Sequence, residues 1–367
     1  MSNAMQILKP VRFSQKIGRE FNATLNKRIR AYFKENNISK HANFNMVLKT
    51  IFMVSLYFVP LAFLLSGVIT NFWIIGLMYV LMGLGMAGIG MGVMHDANHG
   101  AYSKNKNVNR WIGKIVNLIG GYAVTWKVQH NVLHHSYTNV HGYDEDIQPP
   151  RFMRFSPNEK LRPIHKYQHY YVWFFYSLMT LSWVTSKDFI QLFRYKKMDL
   201  TKSENEKFTP LFLELVFSKI FYHTTLIVLP ILILPISWWW VPIFAVIKNL
   251  ISGFVLAIVF QPAHVIPETD FVQPNEDNLI DNNFAIHQME TTANFAPKSR
   301  IFNWFVGGLN YQVEHHLFPN ICHVHYKKIS KIVRETAEEF NIPYHTHKTF
   351  FKAIFYHTKM IRDLGRA

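Results

Sequence analysis

The sequence predicts an all-α integral membrane protein with four transmembrane helices in two hairpins. Only 17% of its 367 residues are charged, whereas soluble domains carry roughly 25%. The charge deficit is concentrated in two blocks: residues 51–94 contain no Asp, Glu, Lys or Arg, and residues 220–260 contain only Lys248. One span needs about 20 apolar residues, so each block has the length of two spans.

Polar breaks inside the two blocks separate the spans. Residues 66–71 divide the first block and residues 235–237 divide the second. The predicted spans are therefore residues 47–66, 71–94, 213–234 and 239–260. Lys248 falls near the middle of the fourth span, where a charge is costly. Three explanations stay open for it: snorkelling to the interface, facing a cavity, or an incorrect span boundary.

The distribution of basic residues predicts the orientation. Both hairpin turns lack Lys and Arg, whereas the N-terminal segment is rich in them: Lys9, Arg12, Lys16, Arg19, Lys27, Arg28, Arg30, Lys34 and Lys40. Lys and Arg near span ends favour the cytoplasmic side. Both termini and residues 95–210 are therefore expected in the cytoplasm. The expected organisation is a basic N-terminal segment at 1–45, one membrane domain at 46–345 and a cytoplasmic tail at 346–367.

The net charge of +16 indicates which classes of binding partner to expect. It favours anionic lipid head groups, or an acidic substrate head group or electron-donor protein. Nucleic acid is not expected, because the basic residues surround membrane segments rather than a nucleic-acid-binding motif. The single cysteine, Cys322, excludes a disulfide framework and a cysteine-ligated iron–sulfur cluster. We expect it to be a small buried residue.

Three further helices are predicted outside the spans. Residues 170–185 are apolar but short for a span and rich in Trp and Tyr, which favour the membrane interface. We expect this segment to lie in or under the head groups without crossing. Residues 127–135 and 325–340 show helical patterns on the cytoplasmic side.

Eight of the nineteen histidines lie just beyond the apolar blocks, in three clusters and one single position: His95, His99, His130, His134, His135, His264, His315 and His316. Residues four apart share one face of a helix, and adjacent residues point roughly 100° apart, so a tandem pair can serve two neighbouring metals. Neutral imidazole is a common metal ligand, and eight exceed the four that one zinc ion takes. The sequence therefore predicts two metals in a cytoplasmic helical cap.

Several other residues are expected near this centre. Asp96 and Glu314 adjoin the clusters and are predicted to orient imidazoles by accepting their second ring N–H. The acidic run at residues 144–146, including Asp146, either does the same or forms a solvated turn. Gln312 lies one turn before the third cluster. His141 and His287 are further candidates for this surrounding layer, and the remaining histidines are expected to be interfacial, surface or core residues.

The motifs HDANH, HNVLHH and QVEHH, combined with four spans, resemble the three histidine boxes of membrane fatty acid desaturases. Gln312 at the head of the third box is similar to the front-end and linoleoyl-CoA-type branch. The resemblance implies a di-iron enzyme that uses O2 and two electrons to introduce a double bond into a fatty acyl chain carried by CoA or a lipid. It implies iron ligation by the eight histidines. We expect Gln312 to hydrogen-bond near the site, with direct ligation of iron as the alternative.

The resemblance also bears on partners. No HPGG haem motif of a fused cytochrome b5 is present, so electrons are expected from a separate donor such as ferredoxin, or cytochrome b5 with its reductase. The Gly-rich residues 82–92 and the segment 302–311 either line an acyl tunnel or allow close packing of helices. A hydroxylase, ketolase or acetylenase on the same scaffold stays open. A membrane zinc hydrolase and a metal transporter are the less favoured alternatives.

Overall fold

The computed structural model of the chain describes residues 10–14, 18–201 and 207–367. In these ranges the chain is mainly helical, which confirms the predicted class. Two short parallel strand pairs are the only sheet in them: β1 (Arg12–Phe13) with β2 (Leu279–Ile280), and β3 (Asn294–Phe295) with β4 (Thr346–His347). Residues 1–9 and 15–17 of the basic segment expected at the N-terminus, which include Lys9 and Lys16, lie outside the described residues.

Four helices are long and apolar enough to cross a membrane: Phe44–Ser66, Phe72–Asn98, Phe208–Ile233 and Trp240–Ala263. The four predicted spans are therefore present, and the third begins five residues earlier than expected. Two of the four are interrupted by π-helical turns. The α-helical parts of the four helices are α2 (Phe44–Ser66), α3 (Phe72–Gly88), α4 (Met94–Asn98), α11 (Phe208–His223), α12 (Leu229–Ile233) and α13 (Trp240–Phe260). The π turn Ile89–Val93 separates α3 from α4, and the π turn Thr224–Val228 separates α11 from α12.

Side-chain caps define the first predicted turn. Asn43 accepts a hydrogen bond from the backbone N–H of Met46 at the start of α2, and Gly67 ends α2 in the left-handed region. The side chain of Asn71 then caps α3 by accepting from Trp73 and Ile74. These caps satisfy backbone N–H groups that a helix start leaves unpaired, so α2 and α3 separate where the sequence predicts.

Glycines allow α3 to pack closely between α2 and α13. A Cβ on Gly85 would lie 2.7 Å from the backbone nitrogen of Tyr57, and one on Gly83 would lie 2.8 Å from the carbonyl oxygen of Lys248. Real Cβ atoms do not approach backbone so closely. Of the two explanations for the Gly-rich residues 82–92, close helix packing applies at these two positions.

Lys248 lies fully buried inside the helix bundle. Its ammonium donates to the hydroxyl of Tyr222 at 3.0 Å and to the sulfur of Met86 at 3.0 Å. The rings of Tyr57 and Tyr222 lie 5.3 Å and 4.9 Å from the same nitrogen. Snorkelling is therefore wrong, and so is a misplaced span boundary, because aromatic faces and a hydroxyl stabilise the charge within α13.

The segment predicted to lie at the interface is a series of short helices: α8 (Gln168–Ser177), α9 (Met179–Ser182), a π turn (Trp183–Lys187) and α10 (Asp188–Lys197). It is not among the four span candidates. α8 and α9 pack against α13, where Gly253 faces the carbonyl oxygen of Ser177. A buried ion pair of 2.5 Å between Asp188 and Lys219 joins α10 to α11.

The remaining helices lie outside the four span candidates. They are α1 (Arg19–Glu35), α5 (Lys106–Gly113), α6 (Ile115–Leu118), α7 (Ala123–Lys127), α14 (Phe284–Thr291), α15 (Arg300–Phe305), α16 (Gln312–Leu317), α17 (Tyr326–Glu339) and α18 (Phe350–Leu364). The segment expected as a C-terminal tail packs against the body: His357 on α18 contacts the hydroxyl of Tyr176 and the carbonyl oxygen of Val265, each at 2.8 Å.

We expect Gly253→Ala to destabilise the contact between α13 and α8. The new Cβ would lie 2.4 Å from the carbonyl oxygen of Ser177, and overpacking of this kind costs about 1–3 kcal/mol. Thermal unfolding in detergent should therefore occur at a lower temperature than in the wild type. Gly90→Ala is the control, because its nearest neighbour would be a Leu256 methyl at 3.4 Å. Equal stability of the two variants would contradict the packing.

Candidate metal centre

The eight predicted histidines converge on one place in the structure. Seven are buried and His99 is half-buried. Their ring nitrogens form two neighbouring groups, within each of which the atoms lie within 4.8 Å of one another. The first group is His95, His99, His130 and His315, and the second is His134, His264 and His316.

His135 lies between the two groups. Its Nε2 is 2.8 Å from Nε2 of His315, a member of the first group. Its ring also stacks on the ring of His316, a member of the second group, at 4.3 Å between centroids. His134 belongs to the second group, whereas His135 contacts a member of each group, as expected if the tandem pair serves two neighbouring metals.

A sharp helix end fixes the first box. His95 lies on α4 directly after the π turn Ile89–Val93. Gly100 follows His99 in the left-handed region, and the N–H groups of Gly100 and Ala101 donate to the carbonyls of Ala97 and Asp96 at 3.0 Å and 2.8 Å. These paired bonds form a Schellman motif, which favours glycine at this position. The helix therefore stops at His99.

The second box is wound as a π-helix, not as the α-helix predicted for residues 127–135. After α7, residues Val128–His134 form the π segment, and the N–H of His135 donates to the carbonyl of His130, five residues earlier, at 2.9 Å. A π-helical turn holds one more residue than an α-helical turn. Its wider turn accommodates the three residues between His130 and the tandem pair.

The second ring nitrogen of four of these imidazoles is held by a neighbour. Nδ1–H of His134 donates to both oxygens of Asp144 at 3.0 and 3.1 Å, and Nδ1–H of His264 donates to the carbonyl of Thr291 at 3.2 Å. Carboxylate and carbonyl oxygens only accept, so Nδ1 carries the proton and Nε2 keeps a free lone pair. This is the usual way in which a protein orients a metal-binding imidazole.

The third box follows the same rule. Nδ1 of His316 lies 2.8 Å from the side-chain oxygen of Gln288, and Nδ1 of His315 lies 3.1 Å from the hydroxyl of Tyr326. Both rings therefore present Nε2 to the centre.

The donor set fits metal ions. Nε2 of His99, His134, His264 and His316 is buried and has no hydrogen-bond partner among the residues that the structure describes. A buried nitrogen without a partner costs about 1–3 kcal/mol, and a metal ion would satisfy several of them at once. An all-imidazole set suits iron, zinc, copper or nickel.

Burial keeps most of these imidazoles neutral, as a metal ligand must be. It lowers the pKa of His264 to about 3. Burial and the neighbouring rings hold the pKa well below 6.5 for five others: His99, His130, His135, His315 and His316. His134 differs: burial lowers its pKa, but the charges of Asp144 and Asp146 outweigh that effect and raise the pKa.

The predicted surrounding residues have different roles. The carboxylate of Asp146 lies 3.5 Å from Nδ1 of His134 and 4.0 Å from Nδ1 of His130. Asp96 lies 3.8 Å from Nδ1 of His95 but bonds more closely to His323. Neither carboxylate is within hydrogen-bonding distance of His95 or His130, whereas Asp144 accepts from His134, so the acidic run is not simply a solvated turn.

Glu314 differs from its predicted role. Its carboxylate accepts from the amide of Asn294 and the hydroxyl of Tyr344, each at 2.8 Å, and from no imidazole among the described residues. The residue precedes His315 on α16 and therefore points roughly 100° away from it. Burial raises its pKa to about 7.

Gln312 and His287 are both fully buried. Neither amide atom of Gln312 has a hydrogen-bond partner among the described residues, so the predicted hydrogen bond is not seen. His141 is half-buried and lines a separate cavity. Cys322 is buried, as predicted. Sequence reasoning missed Gln288, Tyr326 and His323, because single polar residues at these distances carry no spacing signal.

Three cavities adjoin one another beside the first histidine group. The innermost, about 110 Å³, is lined by His95 and His130 with apolar residues that include Met91, Met94, Leu256 and Phe260. A second cavity of about 440 Å³ shares Gln129, Asp146, Met179, Lys187, Ala257 and Gln261 with it. A third of about 580 Å³ shares Gln148, Pro149 and Met153 with the second, and is lined by Arg151, Lys160 and Arg162.

Comparisons with known proteins all indicate the same family. The sequence model named "Fatty acid desaturase" matches residues 71–348. The sn-1 linoleoyl-lipid 6-desaturases of Arthrospira platensis and Synechocystis sp. are 39% and 36% identical to this chain. The matches cover 94% and 97% of this chain and 92% and 98% of those proteins. The acyl-lipid (8-3)-desaturase of Physcomitrium patens is 34% identical, over 94% of this chain and 72% of its own length.

The chain belongs to the fatty acid desaturase family. It is an enzyme that introduces a double bond into a fatty acyl chain, and the resemblance read from its histidine boxes is confirmed.

We expect Asp144→Asn to weaken metal binding without unfolding the protein. Asn offers one acceptor oxygen in place of the two carboxylate oxygens that accept from Nδ1–H of His134. Loss of such a partner typically reduces metal affinity or activity about 10- to 100-fold. The measurement is metal content after equilibration with a graded chelator. Asp281→Asn, at an exposed position, is the control. Unchanged metal retention in Asp144→Asn would contradict the role given to Asp144.

Proposed function

We propose that the eight histidines hold two iron ions and that the enzyme is an O2-dependent di-iron desaturase of membrane acyl-lipids. The observation that carries the proposal is the pair of adjacent histidine groups joined by His135. His95, His99, His130 and His315 would hold one ion, and His134, His264 and His316 the other, with His135 between them. Bound iron supplies the O2 chemistry that removes hydrogen from an unactivated carbon, which protein side chains cannot do.

The inner cavity is suited to the acyl chain. Met91, Met94, Leu256 and Phe260 give it apolar walls beside His95 and His130. Apolar walls exclude water and bind a hydrocarbon chain through burial of its surface. These residues would hold the chain next to the first iron ion while leaving the histidines undisturbed.

The third cavity, of about 580 Å³, is suited to the polar end of the substrate. Arg151, Lys160 and Arg162 line it, and no ion pair involves them among the residues described. Glu159, also in its wall, has its pKa raised to about 7 by burial and so opposes this positive charge only partly. A lipid head group with a phosphate would be attracted there, while its chain extends toward the histidines. The names of the relatives, which specify linoleoyl-lipid and acyl-lipid substrates, support a lipid carrier.

The proposed topology places the histidines, residues 95–210 and both termini in the cytoplasm. Residues 46–345 then form the membrane domain. The support is the contrast between Lys- and Arg-free hairpin turns and the basic N-terminal segment. Electrons would arrive on the cytoplasmic side from an acidic ferredoxin, or from cytochrome b5 with its reductase, attracted by the net charge of +16.

Expression in a host that makes fatty acids with fewer double bonds tests the function directly. We expect new polyunsaturated acyl chains in the lipid fraction, first in intact lipids and only later in acyl-CoA. His315→Ala should abolish the product, because His315 belongs to the first group and contacts His135. His169→Ala, outside the groups, should not. A hydroxylated product in place of an alkene would contradict the proposal.

The substrate path is tested by filling it. Ala257 lines both the innermost and the second cavity. Ala257→Phe should therefore block entry of the acyl chain and reduce turnover strongly, while bound metal stays at the wild-type level. Ala257→Gly keeps the space open at a helix cost of about 1 kcal/mol, and should remain active. Full activity in Ala257→Phe would show that the acyl chain takes another route.

Labelling of single cysteines tests the topology. The variants Ser136→Cys and Lys328→Cys are each made in a Cys322→Ser background. We expect a membrane-impermeant thiol reagent to miss both in sealed cells and to label both after lysis. The variant Val68→Cys, at an exposed position in the first hairpin turn, should react in sealed cells. Labelling of either cytoplasmic position from outside would overturn the orientation.

A further inference from the structure

A buried lysine lies close to the first histidine group. Lys49, on α2, is 2% exposed, and its ammonium lies 2.6 Å from Nε2 of His323. Its nitrogen is also 5.4 Å from the centre of the Trp304 ring. A charge buried in a membrane helix is costly, and such a residue is by default a candidate for a functional role.

The lysine fixes the proton on the histidine. An ammonium can only donate, so Nε2 of His323 accepts and Nδ1 carries the hydrogen. That Nδ1–H donates to Oδ2 of Asp96 at 2.9 Å, and the backbone N–H of His323 donates to the same oxygen at 3.1 Å. Lys49, His323 and Asp96 thus form a buried row with a cation at one end and a carboxylate at the other.

The row ends at the metal centre. The other carboxylate oxygen of Asp96, Oδ1, lies 3.8 Å from Nδ1 of His95. Nε2 of the same His95 ring lies 3.1 Å from Nε2 of His130, inside the first group. Only one of the two groups is reached in this way, because none of the ring contacts of the row involves His134, His264 or His316 among the described residues.

One glycine makes room for the row. Gly308 has a φ of 70°, and a Cβ there would lie 2.8 Å from Cβ of His323. A larger residue at position 308 would push His323 away from Asp96, so the Gly-rich segment 302–311 serves packing around this row.

We propose that Lys49 and His323 are positioning residues that act through Asp96 on His95, and that they set the electrostatic environment of one of the two metal ions. This rests on the proposed di-iron centre. His323 turns the Asp96 carboxylate toward His95, and the Lys49 charge partly balances that carboxylate, which otherwise makes the His95 ring a stronger donor. The positive charge of Lys49 also disfavours a third cation between Asp96, Cys322 and His323, which lie close together.

The experiment compares four variants of the full-length protein in detergent, loaded with Mössbauer-active iron. Lys49→Met removes the ammonium but keeps the apolar stem. His323→Gln keeps one donor and one acceptor, whereas His323→Leu keeps neither. Lys248→Met is the matched control, because it removes another buried ammonium, one that contacts Tyr222 and Met86 instead of the row.

We expect Lys49→Met and His323→Leu to alter the quadrupole splitting of one iron component, leave the other in place, and reduce activity about 10- to 100-fold. His323→Gln should recover most of the wild-type spectrum, and Lys248→Met should match the wild type. A wild-type spectrum in Lys49→Met, or equal changes in both components, would overturn the proposal.

A second measurement separates this proposal from the di-iron centre itself. Nitrogen NMR of the metal-free protein should find the His323 proton on Nδ1 in the wild type and lose that preference in Lys49→Met. Absence of iron from the wild-type protein would overturn the di-iron proposal but leave this readout. Protonation of His323 at Nε2 in the wild type would overturn the row whether or not iron is bound.

Discussion

The structure depends on bringing eight imidazole rings together, seven of them buried, while some of their ring nitrogens stay without a hydrogen-bond partner in the described part of the chain. Nε2 of four of them has no hydrogen-bond partner among the described residues, and each such atom is costly unless a metal occupies the site. The opposite ring nitrogens are therefore held in place, by Asp144 on His134, by Gln288 on His316 and by a backbone carbonyl on His264. Without these partners, an imidazole could rotate until its unpaired nitrogen formed a hydrogen bond, and the partners prevent that rotation.

Irregular helix geometry delivers the rings to their positions. A π turn precedes the first box and another forms the second box, and a Schellman motif ends the helix at His99. Local π turns are frequent at functional sites. The bundle compensates through close packing at Gly83, Gly85 and Gly253, which lets α3, α13 and α8 hold the distorted segments.

The sequence was sufficient for the class of fold, the number of spans and the convergence of the histidines, because charge-free length and histidine spacing are local signals. It was insufficient for features decided by tertiary contacts. The π-helical form of residues 128–134 depends on where His134 and His135 must point, which no local propensity encodes. The partners of Lys248 come from other helices, and those of Glu314 come from β3 and a loop, so their roles could not be predicted from neighbouring residues.

Asp144 and His323 illustrate the same limit at the site. An acidic run between a histidine box and a loop is equally compatible with a solvated turn, and only the fold places Asp144 against His134. His323 lies seven residues beyond His316 and outside every box, yet it contacts Asp96 from the far end of the chain. Such residues, which support the ligands without being ligands, are identified only when distant segments are brought together.

The most direct test of the account is the metal content of the protein purified from cells grown with both iron and zinc available. Two adjacent groups of imidazoles, with His135 between them, predict about two metal ions per chain, and the O2-dependent desaturation that we propose predicts that they are iron, with little zinc. One metal ion per chain, or a full complement of zinc with no iron, would contradict the two-iron centre.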